Sequence, residues 1–368
     1  MSPSVAIIGT RGYPSYYGGF ETAVRRLAPY LVDHGWDVTV YGRPGSTRMD
    51  DPLLDDRVKS IQTRGLETRS FSTLSYGFTS ALDASRRKPD VALVMNVANG
   101  YWLPILKARG IPTLVNVDGI EWDRAKWGRV AKGVFRSGAH ATARFGTRMV
   151  YDSKEIALRW KKDFGLDGEF IPYGGDAPGD LPLEEGLSHR SYALVVARFV
   201  PENTIPEFVA AAARIGASYP VVIVGSAGGY GGEVEDQVRA LSESTPNIRW
   251  LGHVSDDRRL HSLWQHAGAY FHGHSVGGTN PALVQAMSCG APIVARDTVY
   301  NREVLDSTGA FVAPTPDAIA EGVLALMSDR DRQESLSEQA FARGQKHYTW
   351  DGVCQSYERA LLKLTQER

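Results

Sequence analysis

Short apolar runs punctuate this chain at regular intervals, and the segments between them place their apolar residues at helical spacing. In the first half the runs are Val5–Ile8, Val38–Tyr41, Val91–Met95 and Thr113–Val117, with a helical pattern over Glu21–Asp33. Runs this short, rich in β-branched residues and closed by glycine or polar turns, predict strands buried on both faces. Their alternation with helices predicts a parallel sheet. A second series follows Pro172-Tyr-Gly-Gly-Asp-Ala-Pro178: Tyr192–Ala197, a helix from about Glu207, Val221–Val224, Ile248–Leu251, Gly268–Phe271 and Pro292–Ala295. Apolar periodicity lapses over residues 174–190, where Gly, Pro, Asp and Glu concentrate. The pattern therefore predicts an α/β protein of two doubly wound domains, 1–175 and 176–348. Ligands of open parallel sheets bind beyond the carboxyl ends of the strands, so the loops there, and a cleft between the halves, are where chemistry is expected.

Composition narrows the class. The 368 residues are 43% hydrophobic and 23% charged with a net charge of −1, which gives no global pull toward nucleic acid or membrane. Only Cys289 and Cys354 occur, without metal-ligand spacing, and no metal site is expected. The first residues run into a strand without a charged lead or cleavable apolar segment, and no run approaches a membrane span. A cytoplasmic protein is expected. One local exception is residues 124–148, with seven Lys or Arg, no Asp or Glu, and Trp127, Val130, Phe135 and Phe145 interleaved. That is either a solvated basic face or a helix for an anionic membrane surface.

Four strand-end segments carry candidate chemistry. His272 to Gly290 is a glycine-rich loop feeding a helix, with Thr279 or Asn280 as cap, Pro281 in the first turn, and Leu283, Ala286 and Met287 as its apolar face. Gly277 and Gly278 let a ligand approach the backbone, and the free N–H groups with the helix dipole favour a phosphate, although any α/β protein owns capped turns of this kind. The first strand ends in Gly9 and Gly12, with Gly18 and Gly19 ahead of a helix starting near Phe20. The second glycine pair comes too late for a dinucleotide fingerprint, and the acidic residue expected after the next strand is missing. A third segment places Arg198 directly after an apolar strand, where a guanidinium can clamp a diphosphate with two hydrogen bonds. The fourth, Asn116-Val-Asp-Gly-Ile-Glu-Trp122, offers Asp118 and Glu121 for acceptor hydroxyls or proton abstraction and Trp122 for stacking on a sugar; an Asp-Gly turn before a helix-starting glutamate is the plain alternative.

Taken in order, the Gly-rich first loop, Asp152-Ser153, Tyr173-Gly-Gly-Asp176, Arg198 with Pro201-Glu202, Gly225, Trp250-Leu-Gly-His-Val254 and Ala286-Met-Ser-Cys-Gly-Ala-Pro292 resemble glycosyltransferase family 4, retaining enzymes of GT-B fold, over nearly the whole chain. Tyr17-Gly-Gly-Phe-Glu-Thr22, Val117-Asp-Gly-Ile-Glu-Trp122, Pro201-Glu-Asn203 and His272 to Pro281 resemble the bacterial rhamnosyltransferase branch of polysaccharide assembly. The resemblance implies a nucleotide-sugar donor bound by the second domain, with no further cofactor, through Arg11, Gly18, Gly19, Asn203, Gly225, Val254, His274, Gly277, Gly278, Thr279, Asn280 and Gln285. It implies a glycan or lipid-linked acceptor on the first domain, near Tyr17, Phe20, Glu21 and Trp122. Arg198 and His272, with Asp118 or Glu121, are the implied catalytic groups, and the terminal helix within 349–368 is implied to pack on the first domain.

Three departures from that family each change a charge. Asn203 stands where a lysine is usual, and the paired glutamates, eight positions apart, fall on Gly277 and Gln285. By resemblance the second contacts the nucleotide ribose. A glutamine carbonyl suits one hydroxyl better than a vicinal pair, which points to a deoxyribose and to dTDP-rhamnose as donor. UDP- or GDP-sugars and a non-catalytic sugar-nucleotide or glycan binder stand as alternatives. A reductase is weakened because Tyr151-Asp-Ser-Lys154 lacks the spacing of a Tyr-x-x-x-Lys pair.

Overall fold

The computed structural model describes residues 2–15, 18–67, 72–117, 119–124, 127–228 and 232–367. The chain forms two compact units, Met1–Tyr173 with Trp350–Arg368, and Gly174–Thr349. Each is built on one wholly parallel sheet, so the chain has the two doubly wound α/β units of a GT-B protein.

In unit 1 the strands are β1 (Ser4–Ile8), β2 (Asp37–Gly42), β3 (Lys59–Gln62), β4 (Val91–Met95), β5 (Thr113–Asn116), β6 (Arg148–Tyr151) and β7 (Gly168–Phe170), in the spatial order 3-2-1-4-5-6-7. The inner strands are buried nearly end to end because helices cover both faces, as Val91 to Met95 illustrate. The edges are different. β3 is polar and mostly exposed, which blunts the sheet against pairing with another chain, and its Lys-Ser-Ile-Gln sequence carries no apolar run to betray it. Helix Trp350–Gln366 belongs to this unit: Tyr357 Oη accepts from Asn116 Nδ2 at 2.6 Å, and Glu358 accepts from Tyr30 Oη at 3.1 Å.

Unit 2 contains β8 (Ala193–Val196), β9 (Val221–Val224), β10 (Ile248–Trp250), β11 (Ala269–His272), β12 (Ile293–Arg296) and β13 (Ala310–Val312), in the spatial order 10-9-8-11-12-13. Its core interleaves Val195, Ile223 and Phe271 of the sheet with Ile205, Phe208 and Ile215 of helix Ile205–Gly216. The order of strand addition reverses between the parallel neighbours β8 and β11, so the loops leaving those two strands diverge and open a crevice at the sheet's carboxyl edge. The same reversal lies between β1 and β4 in unit 1.

Candidate active site

At the unit 2 switch point the loops after β8 and β11 are sewn together by buried polar contacts. Asn203, 7% exposed, donates from Nδ2 to the Arg198 carbonyl at 2.8 Å and faces His274 Nδ1 with Oδ1 at 2.6 Å. Ser275 N–H donates to the Glu202 carbonyl at 2.9 Å. Thr204 holds a left-handed conformation, φ 57, which costs a β-branched residue about 1–2 kcal/mol. Its hydroxyl offsets that by donating to the Gly273 carbonyl at 2.6 Å and accepting from Arg296 Nη1 at 2.9 Å. The first turn of helix Val299–Leu305 joins through Asn301, whose Nδ2 donates to the carbonyls of His274 and Arg296, each at 2.9 Å. Thr204, Arg296 and Asn301 were not legible as site residues. Only the position of Asn301 after a strand hinted at its role.

Glycine is required at one point of this frame by simple contact. At Gly225, φ +134, a Cβ would lie 1.8 Å from the Ala197 carbonyl oxygen. Any side chain there would push the loop bearing Arg198 outward. Val254, on the loop after β10, is half-buried beyond Gly252, whose carbonyl accepts from Gly225 N–H at 2.7 Å.

The frame presents two polar groups without partners. Arg198 is exposed, and its guanidinium has no partner among the described residues. His272, 4% exposed, has Tyr270 Oη 3.0 Å from Nδ1, whereas Nε2 has no partner among the described residues. Burial lowers the His272 pKa to about 3. The ring is therefore neutral at ordinary working pH and can offer a hydrogen bond but not a cation. Beside it, helix Pro281–Ser288 starts with Asn280 accepting from Ala282 N–H at 2.9 Å. Gly277 sits at φ +96, Thr279 is buried, and Gly278 is half-buried.

Gln285 is engaged by protein at both amide atoms. Its Oε1 accepts from Asp176 N–H at 3.0 Å, its Nε2 donates to the Asp176 carbonyl at 2.7 Å, and Nε2 lies 3.4 Å from Cys289 Sγ. An amide meets one residue's backbone donor and acceptor together, which a carboxylate cannot do. The ribose contact expected of Gln285 is thus corrected to a clamp on the segment entering unit 2. Gln285→Glu is expected to lower stability by about 1–3 kcal/mol, since it turns a donor against a carbonyl into an anion. Thermal unfolding checks this, and an unchanged midpoint would sink the clamp.

In unit 1 the Gly-rich loop after β1 is likewise braced. Gly9, φ +96, lies where a Cβ would come 2.3 Å from the Met95 carbonyl, and Glu21, 6% exposed, accepts from Arg11 N–H at 3.0 Å. Glu21 therefore holds the loop and does not offer its carboxylate as a free acceptor contact. Gly18, Gly19 and Phe20 are half-buried at the start of helix Gly19–Asp33, which has no side-chain cap. Tyr17 and Asp118 lie outside the described residues.

Glu121 and Trp122 are both displaced from the roles expected of them. Glu121, 3% exposed, pairs with Arg124 Nε at 2.6 Å and accepts from Trp127 Nε1 at 2.8 Å. Trp122, 8% exposed, packs against Trp160 and Phe164 with ring centroids 6.5 and 6.3 Å away. That carboxylate is engaged by the protein on both sides, and a ring stacked into the core has no face for a sugar. An apolar neighbourhood for residue 122 could not be foreseen, because Trp160 and Phe164 come from a distant helix.

Two family models match this architecture in tandem: "Glycosyl transferase 4-like domain" over residues 18–174 and "Glycosyl transferases group 1" over residues 185–343. The O-antigen chain mannosyltransferase B of Escherichia coli is 26% identical over 173 residues, and the match spans 45% of this chain and 44% of that protein. Among solved structures, sucrose-phosphate synthase from Thermosynechococcus elongatus superposes with a TM-score of 0.79 at 16% identity, covering 100% of both chains. Anabaena HepE, solved with UDP-glucose, gives 0.74 at 13% identity, covering 99% of this chain and 100% of that one. With the two models matched in tandem over most of the chain, on two doubly wound units, the chain belongs to the glycosyltransferases of the family 4-like type with a GT-B fold.

Proposed function

We propose that this protein transfers a hexose from a nucleoside diphosphate-sugar to a growing cell-surface polysaccharide. The observation that carries this is the unit 2 switch point, where Arg198 and the Nε2 of buried His272 have no partner among the described residues and the loop after His272 leads into helix Pro281–Ser288. A diphosphate supplies the negative charge that Arg198 and the helix terminus favour, and a sugar hydroxyl supplies a partner for His272. HepE was solved with UDP and UDP-glucose, and the Escherichia coli relative acts on O-antigen chains; both support the donor class and the polysaccharide acceptor.

The finer reading keeps L-rhamnose from dTDP-rhamnose as donor, with retention of anomeric configuration, on the resemblance of Tyr17 to Thr22, Val117 to Trp122, Pro201 to Asn203 and His272 to Pro281 to that branch. Gln285, bonded to the Asp176 backbone, does not bear on the choice of ribose. A mannosyl donor is the second reading, favoured by the Escherichia coli relative. Turnover measured against a panel of dTDP-, UDP- and GDP-sugars decides between them, and faster transfer from any donor other than dTDP-rhamnose refutes the first.

The acceptor is assigned to unit 1, at the inner face of the cell membrane. No helix among the described residues is long and apolar enough to cross a membrane. Helix Arg129–Phe145 turns Gly138, Ala139 and Thr142 inward and leaves Arg129, Val130, Arg136 and Arg144 exposed, a surface suited to anionic lipid. Co-sedimentation with anionic vesicles at low salt tests that contact, and absence of binding removes it.

A further inference from the structure

The loops leaving β8 and β11 come into backbone contact at Asn203 and Gly273. A Cβ on Gly273 would lie 2.3 Å from the Asn203 carbonyl oxygen, so only glycine lets the two chains approach this far. Asn203 closes the short 3-10 turn Pro201–Asn203 and is 7% exposed, which leaves its side chain next to no surface for a ligand. A lysine is usual at this position in the family; here the side chain is spent on the protein instead.

The groups that the Asn203 carboxamide touches fix which way round it sits. Nδ2 donates to the Arg198 carbonyl at 2.8 Å, and a carbonyl oxygen can only accept. Oδ1 is therefore the atom facing His274 Nδ1 at 2.6 Å, and an amide oxygen likewise only accepts. The shared proton must then belong to Nδ1. A neutral imidazole carries one N–H, so Nε2 of His274 is the acceptor nitrogen of the neutral ring. The main chain around that ring is tied down as well: the His274 carbonyl accepts from Asn301 Nδ2 at 2.9 Å, and Ser275 N–H donates to the Glu202 carbonyl at 2.9 Å. His274 is half-buried, with its ring centroid 6.2 Å from that of His272. An accepting Nε2 suits an O–H group. A sugar supplies one, whereas the ionised oxygens of a diphosphate offer only lone pairs.

We propose that Asn203 is a positioning residue of the donor site: it holds His274 in the Nδ1–H tautomer, so that Nε2 of the neutral ring accepts a hydrogen bond from a hydroxyl of the donor sugar, and it does not itself contact the diphosphate. The sugar contact rests on the reading of the unit 2 switch point as the donor site; the tautomer does not.

Long-range proton–nitrogen NMR correlations on the full chain labelled with ¹⁵N-histidine, recorded at about pH 8, above the usual histidine range, read the tautomer directly, with the His274 signals assigned by their loss in His274→Gln. The wild type is expected to show the Nδ1–H pattern. Asn203→Ala should shift His274 toward the Nε2–H form and lower kcat/KM for the preferred donor about 10-fold, the loss of one hydrogen-bond partner. Asn203→Asp, which still offers an acceptor to Nδ1–H, should keep the tautomer, and this separates positioning from misfolding. Asn203→Lys adds a cation but no acceptor, so it is expected to lower turnover as Asn203→Ala does. An Nε2–H pattern in the wild type, an unchanged tautomer in Asn203→Ala, or wild-type or faster turnover in Asn203→Lys overturns the proposal. A donor panel without any turnover would sink the transferase reading and leave the Asn203-dependent tautomer standing.

Discussion

Arg198→Ala lowers kcat/KM for the preferred donor by about 100- to 1000-fold, the loss that follows removal of one preorganised donor to developing charge. The leaving nucleoside diphosphate gains negative charge as the glycosidic bond breaks. A guanidinium facing that charge is therefore worth more in the transition state than in the ground state, and the loss falls mainly on kcat. Stability changes by less than about 0.5 kcal/mol, since the side chain is exposed and without a partner among the described residues. Arg198→Lys recovers part of the rate, because an ammonium keeps the charge but not the two-pronged geometry. Steady-state kinetics paired with thermal unfolding checks this. A variant with wild-type turnover would place the donor elsewhere.

Trp122→Ala is expected to cost unit 1 about 3–5 kcal/mol, the price of emptying a large aromatic site in a packed core. Trp122 shares its cluster with Trp160, which is fully buried, and the rings of Tyr151 and Phe164 also pack on Trp160. Truncation removes contacts on several sides, and the surrounding rings are too large and rigid to close the space. Thermal unfolding is the measurement. A ring that instead stacked on the acceptor would give the opposite outcome: an unchanged midpoint with a raised acceptor KM.

Much of the fold was legible because its signal is local. Val91 to Met95 and Val221 to Val224 are buried strands with apolar runs that no other element would tolerate. β3, β7 and β13 are edge strands of three or four residues, paired on one side, and their sequences need not be apolar. Strand-end position was legible too: Arg198 and Asn203 follow β8, and His272 closes β11 beside it.

Side-chain direction was not. Gln285, Glu121 and Trp122 carry residue types suited to substrate contact, yet each is engaged by protein. Their partners, Asp176, Arg124 with Trp127, and Trp160 with Phe164, are brought in by packing. Arg43 shows the reverse: nothing in its local sequence marks it, and only the meeting of β2 with helix Ser72–Arg87 buries its guanidinium, over the ring of Tyr76.

The sequence by itself determined two parallel α/β units, the strand ends that carry the glycine-rich loops, and the glycosyltransferase motif order, because apolar periodicity and turn chemistry act over a few residues. Which polar groups stay free for a ligand was decided by tertiary structure alone. A buried donor or acceptor must find a partner, and that partner, near or far along the chain, is set by how the elements pack.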